Sequence, residues 1–385
     1  MIYHKQVATP QWQLIADSLR EQIESGQLQP GDRIPGEEQL AEQWKVSRPT
    51  AHRAVREIQT AGLVTRQRRW GTVVAAQTRG TTGRVGLVID HMATNYNFPQ
   101  ADFMQGIHDV FGEEVMVICC DSKSDPDREA NNLRKMQSEV DGILCYPTSD
   151  PKNTPLLKKL SASRTPLVLL DRVPKGVEID AVVSDNFEVT HHAIQTLVDR
   201  GHQRIGFISF SKPEISTVME RFAGYERAML DSGVPSVRPY VRWFERHMEH
   251  DARLLVQAVF DAMFTLIHQK EPATAVFCVQ DGIAMAVLDA CEQLGIRLPE
   301  DLELATFNDW PPMMLRRPWQ THRIVQATRE IGRVAATALK ARIEGSTAPP
   351  HISRVAADFF VADAGLSPQS AFNPSSTPRP DRALT

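Results

Sequence analysis

No two cysteines in the 385-residue chain stand at CxxC spacing. The five, Cys119, Cys120, Cys145, Cys278 and Cys291, lie in or beside apolar runs or, for Cys291, in a helical pattern. That excludes a zinc ribbon or a disulfide scaffold and points to buried thiols in a reducing compartment. No apolar stretch approaches the ~20 residues of a membrane helix. The first 25 residues lack the apolar segment of a secretory signal, so a cytoplasmic protein without membrane partners is expected. Neither sign of charge dominates, with 43 Lys/Arg against 47 Asp/Glu. GxGxxG, a Walker loop, HExxH and GxSxG are all absent, and the 12 histidines do not cluster at metal-ligand spacing. No enzyme, cofactor or metal site is expected.

What is present is enough apolar residue, 42%, for real cores, over a length that suits two or three domains. Charge is uneven: residues 1–78 carry 10 Lys/Arg against 8 Asp/Glu, the remainder 33 against 39. Within 44–69 seven basic residues face the single acid Glu57. Either a solvated face or an anionic partner accounts for that run.

Thr9-Pro10 signals a helix start, with Pro10 in the first turn, and Trp12, Ile15, Ala16, Leu19 and Ile23 follow at helical spacing. The turn-rich PGDRIP leads to a second short helix holding Leu40, Ala41 and Trp44. Ser47 can cap a third, whose Ala51, Ala54, Val55 and Ile58 form one stripe. At about 100° per residue, Pro49, His52, Arg53 and Arg56 fall on the opposite face. Leu63–Arg66 and Thr72–Ala75 then read as a hairpin around Gln67-Arg68-Arg69-Trp70-Gly71. Three short helices and a basic hairpin make a winged helix-turn-helix, which offers one helix to the DNA major groove.

PGDRIP, LAEQWKVSRPTAHRAVREIQTAGLV and WGTVV resemble the N-terminal domain of the GntR family of bacterial transcription regulators. The resemblance implies DNA contacts from Ser47, Arg48, Thr50 and His52. Arg48 is the candidate to read guanine with its fork, and Ser47 and Thr50 would hold phosphates. Arg53 and Arg56 are backbone contacts or solvated groups, and Arg68 and Arg69 would serve from the wing. Glu38 and Arg69 depart from the family's usual arginine and glycine there.

After the polar segment Gln77–Gly83, apolar runs at 85–89, 115–120, 142–145, 167–170, 205–208, 275–279 and 302–306 alternate with helical patterns. That alternation predicts parallel sheets flanked by helices, and some 280 residues suit two lobes. Val183-Ser184-Asp185-Asn186, Gly201–Ile208, Glu220–Tyr225, Leu294–Asp301, Thr306–Asp309 and Ile331–Ala336 resemble the LacI-type regulatory domain, which is similar to periplasmic sugar-binding proteins. The resemblance implies a cleft between lobes, with ligand contacts from Asp171, Arg221, Gln280, Asp281, Asn308 and Asp309. Phe98, Phe210, Trp243 and Trp310 are the aromatic candidates for its walls.

The expected protein is therefore α/β in class. Residues 1–76 form a winged helix-turn-helix, 77–83 a linker, 84–365 a two-lobed periplasmic-binding-protein-like effector and dimerisation domain, and 366–385 a flexible tail. Its expected role is a homodimeric repressor of operator DNA controlled by a small molecule, a sugar or alternatively a purine-like ligand. The rival readings are a cytoplasmic ligand-binding protein without gene regulation and, because some GntR-like proteins carry one, a fused pyridoxal-phosphate enzyme.

Overall fold

The computed structural model describes residues 10–25, 27–29, 31–60, 63–67, 70–74, 82–90, 99–211, 215–234, 236–245, 248, 251–307 and 321–362, and side chains only from 102 onward in the segment starting at 99. Expectations on Arg68, Arg69, Phe98, Asn308, Asp309, Trp310, residues 77–81 of the linker and the tail lie outside the described residues.

The head consists of α1 (Gln11–Glu24), α2 (Glu37–Gln43) and α3 (Arg48–Thr60), followed by β1 (Val64–Gln67) and β2 (Gly71–Val74). Pro10 stands outside α1 as its N-cap residue, with an extended ψ of 139°, one position earlier than the sequence pattern suggested. Ile15, Leu19 and Ile23 of α1 pack on Leu40 of α2 and on Ala51, Ala54, Val55 and Ile58 of α3, with Val64 and Val74 closing the core. The strands pair antiparallel, Gln67 opposite Gly71. Gly71 adopts a φ of 92° against the Arg33 side chain, a turn that a Cβ would strain.

The first lobe runs β3 (Arg84–Ile89), α4 (Pro99–Phe111), β4 (Met116–Asp121), α5 (Pro126–Glu139), β5 (Gly142–Tyr146), α6 (Thr154–Ser161), β6 (Leu167–Leu170) and β7 (Asp180–Ser184). The second runs α7 (Asn186–Asp199), β8 (Ile205–Phe210), α8 (Ser216–Asp231), β9 (Val241–Phe244), α9 (Ala252–His268), β10 (Ala275–Cys278), α10 (Asp281–Leu294), β11 (Glu303–Phe307) and β12 (Thr321–Val325). The chain returns through α11 (Thr328–Ile343) and β13 (Ile352–Val355) to the first lobe and ends at β14 (Asp358–Phe360) in the second.

Each lobe has a six-stranded sheet, ordered β13-β7-β6-β5-β3-β4 and β14-β12-β11-β10-β8-β9. Central strands such as β6, β8 and β10 are buried at every residue, as a parallel sheet covered on both faces requires. The expectation of wholly parallel sheets is corrected at one edge, where β14 runs antiparallel to β12. The thiol expectation is corrected too: Cys119 and Cys120 are only half-buried because β4 is an edge strand, whereas Cys145, Cys278 and Cys291 are buried.

Three chain crossings connect the lobes: Ser184 to Asn186, Val325 to Thr328, and Val355 to Asp358. Helix pairs cover the sheets closely because glycines let backbones touch. A Cβ on Gly106 of α4 would collide with the Arg329 carbonyl of α11, and one on Gly332 of α11 with the Phe103 carbonyl.

Far from the cleft, at the start of β11, Glu303 receives both Nε and Nη2 of Arg200 and lies 2.9 Å from His322 Nε2. His322 Nδ1 accepts the Ala362 N–H at 3.1 Å. Burial opposes ionisation of Glu303, but hydrogen bonds from Arg200, His322 and His202 outweigh it and hold the carboxyl down at about 2. Burial lowers His322 below its usual 6.5 despite Glu303. Below pH 6.5 the unfolded chain takes up a proton that the folded His322 resists, and below pH 4.5 it takes up one that Glu303 resists; stability therefore falls in both windows. Thermal unfolding should show Tm dropping from pH 7 to 5. His322→Gln, which can still donate and accept, should flatten that interval; an unchanged slope would remove His322 as its source.

Candidate functional site

Two surfaces concentrate the candidate residues. On the head, the apolar stripe of α3 faces inward and leaves Ser47, Arg48, His52, Arg53 and Arg56 exposed and Thr50 half-buried. The Ser47 and Thr50 hydroxyls lie 2.8 Å apart, closing the first turn of the helix. Arg48 Nη1 sits 3.0 Å from Glu38 Oε1, and His52 Nδ1 3.0 Å from Glu37 Oε1, so both acids opening α2 reach the exposed face of α3. Arg53 instead stacks its guanidinium 4.3 Å over the Trp12 ring, which ties it to the packing of α1 on α3. Arg56 shares a shallow groove with His52, Gln59 and Arg66, bounded by Thr72 of the hairpin.

The second surface is the cleft between lobes, at the C-terminal ends of the strands, where the connections are free to converge on a ligand. Asp171 follows β6 with a left-handed φ of 63°, a conformation that Asp tolerates better than most residues. It is 5% exposed. Arg172 Nη1 pairs with Asp90 at 3.0 Å, its Nε approaches Asp171 at 3.6 Å, and its guanidinium lies 4.6 Å over the Tyr146 ring. Burial pushes the pKa of the Tyr146 hydroxyl far up, and the nearby Asp171 acts in the same direction.

From the second lobe, Arg221 on α8 is 6% exposed and stacks 3.4 Å over Phe307. Its Nε donates to Asn186 Oδ1 at 2.9 Å and its Nη1 to the Val279 carbonyl at 2.8 Å. Burial lowers its pKa to about 10, with Asp171 acting against that fall. Tyr146, Asp171, Arg172, Phe210, Arg221, Gln280 and Gln326 all border the same cleft, a space of about 460 Å³.

The structure thus brings together four of the sequence candidates, Asp171, Arg221, Gln280 and Phe210. Asp281 is not among the cleft-lining residues: it is the first residue of α10 and its Oδ1 accepts the Gly282 N–H at 2.9 Å. Trp243 is also away from the lining. It sits on edge strand β9 with its ring against Phe207 and Phe222. Sequence reasoning missed Tyr146, Arg172 and Gln326. Each lies at or within two residues of the C-terminal end of a strand, and that position was the available signal.

Cleft and crossings form one polar network. Asn186, which holds Arg221, donates to the Ser184 carbonyl and to Glu220. Glu220 takes both Nη atoms of Arg354, beside the third crossing. Ser184 Oγ donates to Gln326 Oε1 at 2.8 Å, joining the first crossing to the second.

Residues 12–74 match the bacterial regulatory proteins of the gntR family, and residues 194–358 match the periplasmic binding protein-like domain. The chain joins a GntR-type DNA-binding head to a LacI-type effector domain. Catabolite control protein A of Priestia megaterium is 28% identical to this regulator over 256 residues, 66% of the chain and 73% of that protein. The arabinose metabolism transcriptional repressor of Geobacillus stearothermophilus is 24% identical over 318 residues, 80% of the regulator and 84% of that repressor. The solved transcriptional regulator CelR–cellobiose complex shares the fold, with a TM-score of 0.63 at 22% identity, covering 86% of the regulator and 100% of that chain. The protein is a DNA-binding transcription regulator with a ligand-binding effector domain. No helix among the described residues is long and apolar enough to cross a membrane.

Proposed function

We propose that the protein is a repressor, acts as a homodimer, and releases its operator when a neutral sugar fills the cleft. The observation that carries the ligand class is charge balance. Asp90 and Asp171 offset Arg172 and Arg221, so among the described residues an added phosphate or carboxylate would find no surplus cation. A neutral polyol, by contrast, can use planar donors and acceptors from Arg221, Asp171, Gln280 and Gln326. Phe210 and Tyr146 add ring surface. The arabinose repressor and the cellobiose complex among the similar proteins support the same class.

The reading is of a receptor rather than an enzyme. Among the described residues, the ionisable side chains of the cleft are engaged with one another or with Asn186 and Val279, an arrangement suited to orienting hydroxyls. Dimerisation is supported by reach, since one recognition helix reads only a few base pairs. Apolar surface supports it too: α9 buries Leu255, Val259 and Met263, and leaves Phe264 49% and Leu254 45% exposed on its other side. Ligand bridging the lobes would change their relative orientation through the network at the crossings, and hence the spacing of the paired heads. Such coupling is reciprocal, so DNA must weaken sugar binding by the factor that sugar weakens DNA binding.

The test is a mobility-shift assay on DNA upstream of the regulator's own gene, with pentoses, hexoses, disaccharides and nucleobases titrated in. Retardation reversed by a sugar is expected, with a mass in solution twice that of one chain. Release by a nucleobase alone would replace the ligand class, and no retardation at low salt would refute DNA control.

A further inference from the structure

We propose that Glu38 is a base-reading residue, forming with Arg48 a paired acceptor and donor that selects a cytosine amino group next to the guanine taken by Arg48. The inference rests on the reading that the exposed face of α3 meets DNA. Glu38 Oε1 lies 3.0 Å from Arg48 Nη1, with the two side chains 77% and 64% exposed. An ion pair so open to solvent adds little to stability. Nor does the start of α2 need this carboxylate: the Gly36 N–H is taken by Gln39 Oε1 at 3.0 Å, and Glu37 already supplies a first-turn acid.

The pair is not isolated. His52 lies one helical turn beyond Arg48, and its Nδ1 stands 3.0 Å from Glu37 Oε1. Acceptors therefore accompany donors along the reading face of α3. Against phosphate oxygens a carboxylate is repelled, so Glu38 weakens contact with any duplex unless it meets a donor. In the major groove those donors are exocyclic amino groups, and cytosine N4 is the usual partner of a carboxylate. Guanine O6 and N7 are the partners of an arginine fork, and the N4 of a cytosine in the neighbouring base pair is presented in the same groove. A side chain already 3.0 Å from Arg48 arrives at that amino group when Arg48 engages guanine. It also fixes Arg48 in one orientation beforehand, which reduces the ordering needed on binding. The carboxylate thus penalises non-operator DNA and favours a G·C-containing step.

The experiment is selection from a randomised duplex library by the full-length protein, followed by affinity measurements on selected and scrambled duplexes at two salt concentrations. Wild type, Glu38→Gln, Glu38→Ala and Arg48→Ala are compared. Both Glu38 variants should lose at least about tenfold selectivity at one base pair per half-site, next to the position relaxed by Arg48→Ala, while binding scrambled duplex several-fold more tightly. The same selected sequence with undiminished selectivity in both Glu38 variants would overturn the proposal and leave Glu38 as a helix-start acid. Failure of the wild type to enrich any duplex would instead refute the DNA-binding reading beneath it. Glu38 is mostly exposed, so the substitutions leave the head folded, and a thermal melt of each variant checks this.

Discussion

Arg221→Ala should leave operator binding intact and raise the concentration of the identified sugar needed for release, with sugar affinity falling about 10- to 150-fold, the loss of one or two charge-assisted hydrogen bonds. The side chain carries three separate tasks. It faces the ligand space, it holds Asn186 Oδ1 and the Val279 carbonyl, and it covers the Phe307 ring. Truncation leaves two buried acceptors unpaired, so the second lobe should also melt earlier. Arg221→Lys separates the tasks, since an ammonium keeps the charge but cannot reproduce the fork that serves Asn186 and Val279 together. Calorimetry with the sugar, a mobility shift with and without it, and a melting curve for each variant distinguish these contributions. Full sugar response in both variants would remove Arg221 from the binding site.

Gly106→Ala should lower Tm by several degrees although alanine is the better helix former. An alanine gains up to about 1 kcal/mol of helix propensity, but the methyl group would enter the Arg329 carbonyl of the facing helix. Overpacking of this kind costs about 1–3 kcal/mol and more where backbone must move. Gly332→Ala meets the Phe103 carbonyl from the other side of the same contact. Because the two glycines share one helix crossing, the double variant should cost less than the sum of the singles: once the helices separate, both methyls fit. Gly282→Ala is the control of opposite sign, since its methyl would meet only the Gln280 side-chain amide at 3.7 Å. Equal melting of Gly106→Ala and wild type would show that α4 and α11 can move apart at no cost.

The α3 helix was legible in sequence because one short segment held everything that defines it: a polar start, an apolar stripe and a basic opposite face. The α/β alternation was legible for a related reason, since strands buried on both faces leave continuous apolar runs. The edge strands β13 and β14 leave none. They alternate exposed and half-buried residues, and their four- and three-residue spans carry too little pattern to be seen. The cleft was legible only in part, because its geometry joins residues remote in the chain. Asp90 meets Arg172 across 82 positions and Ser184 meets Gln326 across 142. Nothing local marks Tyr146 as different from the apolar residues before it; only its place at the end of β5 does. Trp243 shows the converse. An aromatic near a strand end was a reasonable wall for a sugar site, but on β9 the ring packs against Phe207 and Phe222 instead.

The segment Ile352–Phe360 supplies an edge strand to each lobe in turn, β13 beside β7 and β14 beside β12, and just beyond it the Ala362 N–H meets His322. A nonsense allele or a proteolytic nick ahead of Ile352 would therefore unzip both halves of the receptor together, although it removes less than a tenth of the chain's length. Since this staple follows every other described strand in the chain, a ribosome stalled just ahead of it would hold a receptor lacking an edge strand in both halves.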